Sequence, residues 1–181
     1  IAIIGMITPA IPNWLNESLW KGMHFDGMVK SARHWMEVVK KKEHPQVIIG
    51  LFHSGRNKGI LTKEYQENAS LEVAEKVPGF DLVLYGHDHT RHIDRITDMK
   101  GGNVLCLDPS CDAYLVSDAQ IHLQMDGDKI LSKQVTGQLK DVSNEKVSDE
   151  YMAYFKAHYD SVDKFVNRKI GTFENTISTR D

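Results

Sequence analysis

A chain of 181 residues, 41% hydrophobic and 26% charged, has the composition of an ordinary globular domain, with or without an appendage. Its formal charge is only -3 and its cations are scattered, the one basic run being Lys40, Lys41 and Lys42, so it offers no basic face to a nucleic acid polymer. No stretch of the sequence is long and apolar enough to span a membrane.

Ile1 to Ile7 is an Ile-rich apolar run closed by Thr8-Pro9, which predicts a core strand running into a loop. The loop, roughly residues 8 to 25, carries Pro12, Trp14, Trp20 and Gly22. Its two Trp side chains either line a site or simply cover the edge of the core. Asp26 can cap a helix in which Met28, Val29, Ala32, Met36 and Val39 recur at helical spacing, and the lysine run suits that helix's negative end. Val47 to Phe52 is a second buried strand with His53-Ser54-Gly55 at its carboxyl end. Thr62 can cap a second helix, through Glu64, Ala69, Leu71 and Ala74, ending at Pro78-Gly79. Asp81 to Tyr85 is a third strand, followed directly by Gly86-His87-Asp88-His89.

This strand-helix-strand-helix-strand order argues for an α/β layered core. Beyond it, segments near 103–108, 113–125 and 129–136 read as strands, with Asp126-Gly127-Asp128 as a hairpin turn. Ser148 opens a last helix, with Asp149 and Glu150 in its first turn and Lys164, Arg168 and Lys169 at its end. Tyr151, Phe155, Tyr159, Val162 and Val166 form its apolar stripe, and Gly171 can terminate it. Cys106 and Cys111 could pair, stay free or bind metal. No second Cys or His pair stands at zinc-site spacing, which favours free structural thiols.

Of the nine histidines, six lie in loops, on helix faces or on a strand where ordinary structural roles suffice. His53, His87 and His89 differ, because they sit at the carboxyl ends of two predicted strands, where sites gather in α/β sheets. In extended backbone, residues two apart point the same way, so His87 and His89 could reach one cluster while Asp88 faces away, either as a hydrogen-bond acceptor behind the ligands or into solvent. Neutral imidazoles are common metal ligands, so the three form a candidate ligand set. The plain alternative is loop histidines making ordinary hydrogen bonds.

The joint pattern is more specific than any part of it. Ile3-Ile4-Gly5, Thr8-Pro9-Ala10-Ile11-Pro12-Asn13-Trp14, His53-Ser54-Gly55, Glu67-Asn68, Pro78-Gly79-Phe80-Asp81 and Gly86-His87-Asp88-His89 follow one another in that order. Over roughly residues 1 to 140 this resembles the calcineurin-like metallophosphoesterases, in particular the branch of 5′-nucleotidases and 2′,3′-cyclic-nucleotide 2′-phosphodiesterases. The resemblance implies an α/β (α+β) fold, half of a four-layer αββα sandwich with mixed sheets. Residues 1–140 would be the C-terminal part of the catalytic domain. Residues 141–181 would be a linker helix leading towards a further, nucleotide-binding domain. It also implies two divalent metal ions (Zn, Mn, Fe, Mg or Ca), with His53 and His87 sharing one and His89 binding its neighbour.

Three blocks of that family do not occur here: Asp-x-His, a Gly-Asp whose Asp bridges the metals, and Asn-His-Asp/Glu. Gly127-Asp128 belongs to a hairpin turn. The resemblance places all three blocks upstream, so this chain reads as a segment of a longer protein, and no general acid is assigned within it. The substrate would be a nucleotide or other small phosphoester. The partners would be the upstream half and the C-terminal domain of the same protein. By the family's habit, the location would be the periplasm or the cell exterior. The Pro-Ala-Ile-Pro-Asn-Trp loop leans towards the cyclic-nucleotide enzymes, with the 5′-nucleotidases close behind. A rival reading is a non-catalytic binding module that retains the fold.

Overall fold

The Ile-rich opening run forms β1 (Ala2–Ile7), and the apolar runs expected as strands form β2 (Ile48–His53) and β5 (Leu82–Gly86). In this computed structural model, which describes residues 1–172, β1, β2 and β5 lie side by side and parallel. β7 (Asn103–Pro109) continues the parallel set, and β6 (Arg91–Thr97) closes the far edge antiparallel to β7. The sheet order is β1-β2-β5-β7-β6. The mixed α/β class expected from the sequence is therefore present, and this sheet has one strand more than foreseen. β6 escaped notice because its exposure alternates along a polar sequence, Arg-His-Ile-Asp-Arg-Ile-Thr, and its pairing is supplied by β7.

One face of the sheet carries α1 (Met28–Glu43) and α2 (Ser70–Lys76). On α1, Met28, Ala32 and Met36 are buried at four-residue spacing and meet Ile4, Phe52 and Val83 from the strands. Lys40, Lys41 and Lys42 occupy its last turn as expected, and the helix stops at His44, which takes a left-handed conformation with φ 46°. Asp26 is not its cap. That position is Gly27, which makes no side-chain bond, while Asp26 pairs with Lys30 at 2.7 Å. A β-carbon on Gly27 would stand 2.8 Å from the Glu64 carbonyl oxygen, so close approach demands glycine there.

The helix expected from Thr62 is largely absent. Residues 58–68 instead form a small antiparallel hairpin, β3 (Lys58–Leu61) and β4 (Gln66–Asn68), and only Ser70–Lys76 is helical. Thr62 does make cap-like bonds, its hydroxyl accepting from the Glu64 and Tyr65 N–H groups, but they close the hairpin turn rather than open a helix.

The other face is covered in part by a long hairpin of β8 (Leu115–Asp126) and β9 (Lys129–Asp141), turning at Asp126-Gly127-Asp128 as expected. Ala119, Ile121, Val135 and Leu139 pack on Leu82, Leu105 and Leu107. Gly137 permits the contact, since a β-carbon there would lie 2.9 Å from both Leu105 and Leu107. Lys133 ties the hairpin to the sheet through Asp81 at 2.7 Å.

The chain divides into two compact units, Ile1–Ser143 and Asn144–Asp181. The second contains α3 (Asp149–Val166), capped by Ser148 and carrying Asp149 and Glu150 in its first turn, as the sequence predicts. It ends at Asn167, whose N–H reaches the Asp163 carbonyl, so Gly171 is not its terminator. Of the region expected over 141–181, residues 173–181 lie outside the described residues. No helix among the described residues is long and apolar enough to cross a membrane. Cys106 is buried, and both cysteines are free.

Candidate metal centre

His53 is the last residue of β2, and His87 follows directly on β5, its neighbour in the sheet. The register places His53 opposite Gly86, so the two imidazoles emerge side by side at the carboxyl edge. His87 Nδ1 stands 3.3 Å from His53 Nε2, with ring centroids 5.0 Å apart. His87 has φ 123° and His89 has φ 56°, so the backbone between them is not extended. The two-residue alternation used to aim both rings at one point therefore does not operate. His87 turns towards His53, while His89 stays exposed beside them.

Asp88 does not face solvent. It accepts from the Arg56 N–H at 2.6 Å and from the Thr90 N–H and hydroxyl at 3.3 and 2.8 Å. Burial alone would raise its pKa, but these donors outweigh burial and hold the carboxyl below its usual range. Beneath it lies the fully buried Asp108 of β7, pushed up to about 7, chiefly by burial. Asp108 Oδ1 accepts from the Ser110 N–H at 2.9 Å, and the Ser110 hydroxyl donates to the His89 carbonyl at 2.9 Å. The His87–His89 turn is thus gripped from below by polar groups of three segments.

Glu67 is the residue whose role the sequence did not reveal. It sits on β4, not on the helix expected there, and its Oε1 lies 2.9 Å from His87 Nε2. Its Oε2 accepts from the Ile60 N–H at 2.7 Å, so the carboxylate is fixed before it meets the histidine. An ionised carboxylate only accepts, so this contact calls for the His87 proton on Nε2 and turns the Nδ1 lone pair towards His53 Nε2. Burial, then repulsion from His87 and His89, holds His53 below the ordinary histidine value, which favours its neutral, ligating form even though the ring stays partly open to solvent.

Two nitrogens bound to one tetrahedral ion at about 2.1 Å each stand about 3.4 Å apart. The 3.3 Å spacing of His53 and His87 fits such a shared ion. The rest of a metal pair is not formed by these residues. Among those described, no three His, Cys, Asp or Glu side chains converge so as to hold a metal ion, and no carboxylate bridges His89 to the other two. A cleft of about 640 Å³ lies elsewhere, between α1 and the β3–β4 turn, and none of the three histidines lines it.

Trp14 completes the setting. It closes a short 3-10 turn, Ile11–Asn13, and its ring lies 5.3 Å from that of His87 at 43°. Of the loop's two Trp side chains, Trp14 stands beside the histidine pair. Trp20 instead packs on Phe25 and donates its indole N–H to the Leu15 carbonyl.

No protein-family model matches the chain. Over 89 residues, 49% of the chain, it is 32% identical to the trifunctional nucleotide phosphoesterase protein YfkN of Bacillus subtilis, a match covering 6% of that protein. Over the same length it is 30% identical to a 2′,3′-cyclic-nucleotide 2′-phosphodiesterase/3′-nucleotidase of Haemophilus influenzae, covering 13% of it. In fold it is similar to the crystal structure of calcineurin-like phosphoesterase YfkN from Bacillus subtilis, with a TM-score of 0.74 and 20% identity. That likeness takes in 92% of this chain and 52% of that one. The chain therefore has the calcineurin-like phosphoesterase fold, of which it spans a part, and its sequence is similar to proteins named for nucleotide phosphoesters.

Proposed function

We propose that the protein to which this chain belongs hydrolyses nucleotide phosphoesters in a metal-dependent reaction, as a 5′-nucleotidase or a 2′,3′-cyclic-nucleotide 2′-phosphodiesterase. The observation that carries this reading is the pair His53 Nε2 and His87 Nδ1 at 3.3 Å, with Glu67 fixing the far nitrogen of His87. Such a pair, with both facing nitrogens unprotonated, would offer two lone pairs to one ion. Bound divalent ions would supply an acidified water and polarise the phosphoryl oxygens. His53 and His87 would hold one ion, and His89, on the same turn, would reach its neighbour. All three histidines are then ligands, and none is assigned to protonate the leaving oxygen. Hydrolysis breaks one P–O ester bond and transfers the water oxygen to phosphorus, so a proton must reach the departing oxygen from a residue outside this set.

The chain covers a minor share of the relatives it matches in sequence, so bridging and acid groups are expected in the remainder of the protein. By itself the 181-residue chain is expected to be inactive. Export to the periplasm or the cell exterior is part of the same proposal and rests on resemblance.

The test is made on the longer protein, purified with Mn²⁺ or Zn²⁺. Phosphate release from 5′-AMP is measured beside ring opening of 2′,3′-cyclic AMP, with His87→Ala as control. The expected result is metal-dependent turnover that falls at least about a hundredfold in the variant. The ratio of the two rates then assigns the branch. Bound metal with no turnover on either compound would overturn the reading in favour of a binding module.

A further inference from the structure

We propose that the apolar face of α3 is an interaction surface for a second copy of this chain, met by the same face of that copy running antiparallel. The first observation is spacing. Met152, Phe155, Tyr159, Val162 and Val166 recur at alternating intervals of three and four residues. That alternation keeps a seam on the side of one helix that faces another helix. The second observation is exposure. No residue of α3 is buried, and Met152, Tyr159, Val162 and Val166 are 41%, 50%, 59% and 63% exposed. A helix draws most of its stability from packing such a face, so 18 residues with the seam uncovered call for a partner. Phe155 is already braced for one, with the rings of Tyr151 and Tyr154 at 4.6 and 4.8 Å from its own.

Charge decides which partner. α3 is acidic where it starts, at Asp149 and Glu150, and the chain is basic at and just past its end, at Lys164, Arg168 and Lys169. A parallel copy would set like charges together. An antiparallel copy sets each acidic start beside the basic end of the other and also opposes the two helix dipoles. With Tyr159 of one helix opposite Val162 of the other, Phe155 falls opposite Val166, and both contacts occur twice about a two-fold axis. The positions flanking this seam then bring Lys156 beside Asp163 of the second copy, again twice. Within one chain both bond along α3 itself, Lys156 Nζ to Asp160 at 2.9 Å and Asp163 Oδ1 to the Asn167 amide at 2.7 Å, so both stand ready on the exposed helix. The face is thus self-complementary in shape and in charge. The seam runs about 22 Å, two heptads, which is short for a free-standing coiled coil, so the dimer is a reversible one.

The experiment is sedimentation velocity on the longer protein over a range of concentrations, with circular dichroism to check that each variant keeps its helices. The wild type is expected to pass from monomer to dimer as concentration rises, and Val162→Asp to remain a monomer. Lys156→Asp turns both flanking attractions into repulsions and is expected to weaken association about tenfold. Lys156→Asp combined with Asp163→Lys exchanges the two charges and is expected to restore association to within about twofold of wild type. In a parallel pair the two positions never meet, and no such rescue occurs. A wild type that stays monomeric overturns the proposal and gives the face to another part of the same protein. A dimer indifferent to Val162→Asp overturns it too, since that dimer forms elsewhere. So does a double variant that associates no better than Lys156→Asp, which excludes this pairing.

Discussion

His87 adopts φ 123° and His89 φ 56°, and Ser110, Asp112 and Ala113 in the facing loop also have positive φ. Side chains with a β-carbon avoid this region, and residues held there tend to cluster where a site demands a particular geometry. The cost is carried by bonds that allow no other course: Arg56 and Thr90 to Asp88, and Ser110 to both Asp108 and the His89 carbonyl. Gly55 belongs to the same fit, since a β-carbon there would stand 2.4 Å from Asp88 Oδ2. Within this frame Glu67 has the most specific task, that of choosing which His87 nitrogen keeps its proton. Glu67→Gln preserves the shape but weakens the acceptor and allows the amide to turn its N–H towards the ring. In the longer protein it is expected to weaken metal binding about ten- to a hundredfold, with little change in melting temperature. Calorimetric titration with Zn²⁺ or Mn²⁺ measures this. An unaltered affinity would show that the tautomer of His87 is fixed by something else.

At the scale of elements, β6 was the strand of the five-stranded sheet missing from the sequence reading, and it anchors the loop that leaves His53. Arg56 makes two bonds to Asp94 of β6, at 3.0 and 2.8 Å, and the Tyr85 hydroxyl reaches the same carboxylate at 3.3 Å. The Arg56 guanidinium, followed by the Tyr85 hydroxyl, holds Asp94 below the usual carboxylate range against the opposing effect of burial. A depressed folded pKa gives stability that is present above the unfolded value, about 3.9, and is lost as pH falls through the folded one. Asp94→Ala is therefore expected to cost about 2 kcal/mol at neutral pH, and the deficit should shrink below about pH 4. Urea unfolding of wild type and variant across that window reads both effects, and a deficit independent of pH would remove the ion pair as its cause. The parallel strands and α1 were legible because apolar runs and four-residue spacing are local signals. The β3–β4 hairpin was not, because Glu64, Ala69, Leu71 and Ala74 mimic a helical period while the Glu67–Ile60 bond and the Lys58–Asn68 pairing that override it link separate positions. For the same reason His53 and His87 could be singled out from their places at strand ends, yet the Glu67 contact and the turn of His89 away from extended geometry could not.

For the unit Ile1–Ser143 as a whole, the layers are unequally covered. Helices α1 and α2 shield one face of the five-stranded sheet, while on the other the β8–β9 hairpin reaches Leu82, Leu105 and Leu107 but leaves β1 and part of β2 bare. Ile3, Ile7 and Leu51 are 63%, 52% and 54% exposed there, and β1 has no strand beside its outer edge among those described. An apolar face joined to an open parallel edge is an invitation to pair with another chain. The similar YfkN structure contains roughly as much chain again as is matched here, and on the reading proposed above the longer protein would have material with which to cover this face. The 181-residue chain alone is therefore expected to self-associate, with its weight-average mass rising with concentration in sedimentation velocity runs. Ile3→Lys combined with Leu51→Lys puts charge on the edge and the bare face at positions already open to solvent. Surface changes of this kind alter stability by about 0.5 kcal/mol each at most, so the melting temperature should hold while association falls. In the longer protein the same pair of lysines would be forced into a contact and should destabilise it by several kcal/mol through the burial of unpaired charge. A monomer from the isolated chain at all concentrations, or indifference of the longer protein to the two lysines, would mean that this face is a true exterior.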